Sequence, residues 1–231
     1  MLKCGSAGVR ECGSLKNHQS SSGNWKLKIG NEIVAVFGGT FDPPHNGHAQ
    51  IAGKILESGK ADKVIFVPAF HPPHKPGFPI TNFTHRLNML ELATSGDERF
   101  EVSDIESRRK GPSFTFDTMA EFEKLFPGTE IRLLMGSDSL CQFHTWYKAK
   151  EMLDRWRLIV YPRNGHMPSV DDLKANWGME VAERLRGYIL PVTYFDLSST
   201  EIRRKILDAE DVACLVDKKV GKYIIENGIY K

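Results

Sequence analysis

Apolar and polar positions alternate in blocks along most of this chain. Ile33-Val34-Ala35-Val36-Phe37 is a short apolar run, and Lys63–Val67, Ile131–Met135 and Leu158–Tyr161 repeat its form. Runs of this length, rich in β-branched and aromatic residues, read as strands buried on both faces. Arg99–Ile105 reads as a further strand, and Tyr188–Tyr194 as one broken by Pro191. Between these runs the apolar spacing lengthens to the helical period. It predicts helices over Ala49 to about Glu57, Phe83–Ala93 (with Thr81 or Asn82 as cap), Phe116–Phe126 and Trp146–Trp156. Two more close the chain, Thr200–Leu207 and Lys218–Glu226, with Gly228 as a stop. Strands alternating with helices predict an α/β fold, a parallel sheet with helices on both faces. Ligands of such sheets sit beyond the carboxyl ends of the strands.

Residues 1–30 stand apart, with frequent Gly, Ser, Asn and Lys and no apolar period. They predict a flexible extension before a single domain over residues 31–231. Basic and serine residues outnumber acidic ones there, which leaves an organelle-targeting segment open, although no amphipathic Arg-rich helix is present. At 231 residues the chain suffices for one sizeable α/β core. The formal net charge of +2 argues against a nucleic-acid partner, and no apolar run approaches a membrane span. Cys4, Cys12, Cys141 and Cys214 lack metal-ligand or disulfide-framework spacing and read as free thiols of a reducing cytoplasm.

The candidate chemistry follows the strands. After the first comes Gly38-Gly39-Thr40-Phe41-Asp42-Pro43-Pro44-His45-Asn46-Gly47-His48. Strand, glycine turn and helix start form a phosphate cradle, because glycine lets backbone approach closely and free N–H groups of the first turn point at the anion. No Gly-Lys-Ser/Thr follows, so this is not a P-loop. His45 and His48, three apart, fall on one side of the helix start. Beside a polyphosphate they would gain basicity and act as cationic donors. Zinc ligation would need third and fourth ligands that the sequence does not offer, and an ordinary surface turn would not need this combination.

Five further segments follow strands. Pro68–Pro79 holds five prolines in twelve residues and carries His74 and Lys75, either a stiff cationic loop or an exposed turn. In Gly111–Thr118, Ser113 or Thr115 can cap the next helix, or offer a hydroxyl and N–H groups to a carboxylate. In Gly136-Ser137-Asp138-Ser139-Leu140, Asp138 suits ribose hydroxyls or a helix cap, and Trp146 offers a ring face or core packing. Arg163 follows the next strand. Last, Ser198-Ser199-Thr200-Glu201-Ile202-Arg203 is a capping pattern with an arginine one turn inside, a second anion site.

The first motif resembles the signature of the HxGH nucleotidyltransferase superfamily, and most closely that of bacterial nicotinate-mononucleotide adenylyltransferases. The similarity runs from about Ile33 to Tyr230 and includes the Pro-Pro-His-Lys loop, the Gly-x-Asp segment with its Trp, and the Ser-x-Thr-x-x-Arg element. Two departures stand out: Phe114 where the family has tyrosine, and Asn164 where it commonly has proline. The resemblance implies a Rossmann-like fold and transfer of AMP from ATP to nicotinate mononucleotide, with Mg²⁺ carried on ATP and no metal held by the protein itself. It implies His45, His48 and Arg203 as catalytic residues. Gly38, Gly39, Thr40, Phe41, Gly47, Asp138, Ser198, Ser199 and Thr200 would bind ATP. His74, Lys75, Thr115, Gly136, Trp146 and Arg163 would bind the pyridine nucleotide. A homo-oligomer is left open. Competing readings are a relative acting on nicotinamide mononucleotide or phosphopantetheine, a class I aminoacyl-tRNA synthetase-like ligase, and a nucleotide-sensing module without turnover.

Overall fold

The computed structural model describes residues 32–72, 79–192 and 197–231. Its frame is a parallel sheet of β1 (Ile33–Gly39), β2 (Lys63–Pro68), β3 (Phe100–Val102), β4 (Glu130–Gly136) and β5 (Arg157–Tyr161), in the order β3-β2-β1-β4-β5. β1 lies at the centre, with Val36 opposite Ile65 on one side and Leu133 on the other. The helices are α1 (Asn46–Glu57), α2 (Phe83–Thr94), α3 (Thr115–Leu125), α4 (Ser137–Gln142), α5 (Ala149–Arg155), α6 (Val170–Trp177), α7 (Met179–Gly187), α8 (Ser199–Leu207) and α9 (Lys218–Glu226).

The apolar runs work as expected. Successive strand residues point to opposite faces, and both faces are covered. Val34, Val36, Ile65, Val67, Leu133 and Val160 face Phe116, Met119 and Phe122 of α3 together with Met152 and Leu153 of α5. Ala35, Phe37, Val64, Phe66, Leu134 and Ile159 face Ile51, Ala52, Ile55 and Leu56 of α1 and Leu90 of α2. A third apolar cluster joins Met89 of α2, Ile202 of α8, and Val220 and Ile224 of α9. It ties the second half of the chain to the rim of the sheet beside the first motif.

Several boundaries differ from the sequence reading. α1 begins three residues early, with His45 in extended conformation as its N-cap. The third strand is cut to Phe100–Val102: Ser103 N–H makes a last bond to Phe66 O of β2, and the chain then coils into a single 3-10 turn over Ile105–Arg108. The helix expected from Trp146 begins only at Ala149, after Lys148 turns through φ 55°. α4, α6 and α7 were not foreseen. α6 and α7 are short and largely polar, burying Leu173, Ala182 and Leu185. Of the expected Tyr188–Tyr194 strand, the described residues form one parallel bridge, Ile189 with Val160. Its last two residues, 193 and 194, like the whole 1–30 segment, lie outside the described residues.

Candidate active site

The carboxyl ends of β1, β2, β4 and β5 share one rim, and the turn after β1 is the most constrained part of it. Phe41 holds a left-handed backbone, φ 48°. That conformation costs a bulky residue about 1–3 kcal/mol. Ring packing offsets it: Phe41 is buried edge-on against Phe37 (5.6 Å), Phe66 (5.9 Å) and His48 (4.8 Å). Arg86 of α2, only 2% exposed, donates to Thr40 O (2.7 Å), Ala69 O (2.8 Å) and Thr81 O (2.9 Å). One guanidinium thus gathers the loop after β1, the loop after β2 and the start of α2. Sequence reasoning missed it, because an arginine amid a helical run reads as a solvated face.

The two histidines lie where this turn enters α1. His45 N–H donates to His48 Nδ1 at 3.1 Å. A ring nitrogen that accepts carries no proton, so neutral His48 keeps its proton on Nε2. The rings stack with centroids 3.7 Å apart. A Cβ on Gly47 would lie 3.0 Å from His45 Nδ1 and 3.3 Å from Leu197 Cβ, so glycine admits this packing. Burial, then the Arg163 charge, lowers the His45 pKa to about 4. His48 is lowered well below its usual value by burial, then by His45 and Arg163. In the protein by itself both are neutral donors, not the cations expected beside a polyphosphate. A bound polyanion would oppose the Arg163 charge and raise both values.

A second helix start meets the same turn. Ser198 caps α8 by accepting from Glu201 N–H (3.1 Å). Ser199 Oγ donates to Pro43 O (2.8 Å), and Arg203 donates to Asp42 O (2.8 Å) and to Thr200 Oγ (3.3 Å). The positive ends of α1 and α8 therefore open on one space, with Arg203 between them.

The opposite wall comes from β4, β5 and α3. Arg163 N–H donates to Ser137 Oγ (2.8 Å), and its guanidinium pairs with Asp138 (3.0 Å) and reaches Leu197 O (3.5 Å). A Cβ on Gly136 would sit 2.3 Å from Asp138 Oδ1, which explains that glycine. Asp138, expected to face ribose hydroxyls, is here engaged by Arg163. Neither Ser113 nor Thr115 caps α3: Phe114 occupies the cap position, and Ser113 Oγ accepts from His71 N–H (3.0 Å). That bond anchors the stem of the proline-rich loop. Trp146 lines the cavity and also packs edge-on with Phe143 (5.4 Å).

These walls enclose a cavity of about 820 Å³, within the range of small-molecule sites. Gly38, Gly39, Thr40, Phe41, His45, Gly47, His48, Thr115, Gly136, Asp138, Trp146, Arg163, Ser198, Ser199, Thr200 and Arg203 all line it. His74 and Lys75 lie outside the described residues. Glu106, buried by Phe70 N–H (3.2 Å) and the Thr118 hydroxyl (2.8 Å), and Tyr161, whose pKa burial raises to about 12, also line the cavity. No motif marked them. Asp42 is a further lining residue that the motif contained and sequence reasoning gave no role.

Comparison with known proteins agrees with this geometry. A cytidylyltransferase-like family profile matches residues 36–205. A Clostridium tetani chain named "probable nicotinate-nucleotide adenylyltransferase" is 39% identical over 199 residues, covering 85% of this chain and 98% of its own. The Bacillus subtilis nicotinate-nucleotide adenylyltransferase is 33% identical, with coverage of 86% and 98%. In fold, the chain is similar to the Plasmodium falciparum nicotinic acid mononucleotide adenylyltransferase complexed with NaAD, at TM-score 0.70 and 20% identity over 87% of this chain and 98% of that one. The chain belongs to the cytidylyltransferase-like nucleotidyltransferases, and within them to the nicotinate-nucleotide adenylyltransferase family.

Proposed function

We propose that this protein transfers AMP from ATP to the phosphate of nicotinate mononucleotide, giving nicotinate adenine dinucleotide and pyrophosphate. The observation that carries this reading is the convergence of the α1 and α8 starts, the His45–His48 pair and Arg203 on one cavity. The nucleophile is a phosphate oxygen, ionised at neutral pH, so no side chain has to remove a proton. What the protein supplies is position and preorganised donors, since two polyanions have to meet and negative charge builds on the leaving pyrophosphate. His48 Nε2–H and the His45 ring serve the triphosphate from one side, and Arg203 with the Ser198–Thr200 start of α8 from the other. His74 and Lys75 are proposed to add cations near the acceptor.

Among the described residues no three His, Cys, Asp or Glu side chains gather as a metal site. Mg²⁺ is proposed to enter with ATP, held mainly by the phosphate oxygens. Bound with ATP, the ion would neutralise phosphate charge; His45, His48 and Arg203 orient the chain of phosphates.

The start of α3 favours the acid over the amide. The N–H groups of Thr115 and Phe116 precede the first helical bonds, in which Phe114 O accepts from Asp117 and Thr118 N–H, and they are left as donors for a ligand. A carboxylate accepts from them, whereas an amide presents its own N–H to part of the site and leaves groups unpaired. Among the described residues no helix is long and apolar enough to cross a membrane.

The test is pyrophosphate release with ATP, Mg²⁺ and nicotinate mononucleotide, nicotinamide mononucleotide or phosphopantetheine as acceptor. Release mainly with the nicotinate compound is expected. Comparable release with the amide would remove the acid preference, and release only with phosphopantetheine would overturn the acceptor assignment.

A further inference from the structure

The turn that carries the phosphate donors is held from a direction that none of the motifs covers. Asp42 is 3% exposed, yet its carboxylate has no solvent to turn to. One oxygen accepts from Thr81 N–H (3.2 Å), and the other from the phenol of Tyr230 (2.5 Å), which lies 188 residues away in sequence. The backbone carbonyl of the same Asp42 takes the Arg203 guanidinium, and the next carbonyl, Pro43 O, takes Ser199 Oγ. Asp42 follows the left-handed Phe41 and stands three residues before His45. Its position therefore sets the approach to α1, and it also sets the aim of Arg203.

Tyr230 itself has a left-handed backbone, φ 66°, and its ring packs on the apolar cluster shared by α2, α8 and α9. That ring packing would persist in a phenylalanine. The hydroxyl is a separate feature, and its partner is a carboxylate in the wall of the cavity.

We infer that Tyr230 is a positioning residue: through its hydrogen bond to Asp42 it fixes the Phe41–His45 turn and so holds Arg203 and the histidine pair in register with the triphosphate. Without that hydroxyl, one Asp42 oxygen is left buried and unpaired, and the turn relaxes to find another donor. Arg203 bonds the Asp42 carbonyl, so a turn that shifts carries the Arg203 guanidinium with it, off its line to the phosphates. A small misplacement of a transition-state donor costs rate far more than it costs fold.

This inference rests on the proposed adenylyl transfer for its kinetic readout, and ATP affinity provides a second one. For Tyr230→Phe the expected result is kcat lower by about tenfold or more and ATP binding several-fold weaker, with the acceptor KM within about twofold of wild type. Asp42→Asn should show the same pattern, and the double variant should be no worse than the poorer single one, because the two act in series. If Tyr230→Phe does not accumulate as folded protein, Asp42→Asn carries the comparison. Wild-type kcat per folded molecule in either variant, or losses that simply multiply, would overturn the inference. If the wild-type protein fails to turn over nicotinate mononucleotide, the proposed function falls, and the ATP-affinity comparison still decides the role of Tyr230.

Discussion

At the scale of single residues, the cavity gathers donors that are neutral, as the two histidines are, or already paired, as Arg163 and Arg203 are. Removing His48, whose Nε2 proton is fixed by the bond its Nδ1 accepts, should lower kcat at least ~10²-fold, the scale of one strong transition-state donor. Steady-state kinetics on folded His48→Ala checks this, and near-normal turnover would remove His48 from the mechanism. Trp146→Ala should raise the KM of the pyridine nucleotide more than that of ATP; equal shifts would mean that the tryptophan is structural. The histidine environment also fixes a pH dependence of stability. His45 titrates near 6.5 when unfolded and about 4 when folded, so the unfolded chain binds more protons between those values. Stability is then full above pH 6.5 and declines as pH falls toward 4. Urea midpoints should drop between about pH 7 and about pH 5, and His45→Gln should drop less. An equal drop in the variant would place the titration elsewhere. Residues of the first motif were legible because their spacing is itself the chemistry. Tyr230 and Arg86 were not, since their partners lie 188 and 46 residues away and no local pattern announces them.

At the scale of elements, the sheet was legible because its strands are buried on both faces. Continuous apolar runs such as Val34–Phe37 have no other stable use in a chain of this kind. The helices were legible where one face buries several large side chains, as α3 does with Phe116, Met119 and Phe122. α6 and α7 escaped because so few of their residues are buried that no apolar stripe forms. α2 shows what a helix can do besides pack. Arg86→Met would keep the stem and remove a guanidinium that satisfies three loop carbonyls beside Asp42 and Glu106. The expected loss is about 3 kcal/mol or more, read as a lower denaturation midpoint. Arg86→Lys should recover little of it, because a single ammonium cannot span three loops. Full recovery by lysine would mean that the charge matters and the fork does not.

At the scale of the molecule, two halves of the chain meet at one cavity. β1 and α1 bring the glycine turn and the histidines; α8, α9 and the segment to Tyr230 bring the second helix start and its arginine. Neither half alone supplies both helix starts, the histidine pair and Arg203. The central claim is that this meeting point moves AMP, not phosphate or pyrophosphate, onto nicotinate mononucleotide. The most direct measurement follows ATP labelled at the α-phosphorus, in parallel with ATP labelled at the γ-phosphorus, through a single incubation with the wild-type protein and nicotinate mononucleotide. The account predicts that the α label moves into the dinucleotide and the γ label into free pyrophosphate. A γ label found on the pyridine nucleotide, or an α label that never leaves adenosine phosphates, would contradict it.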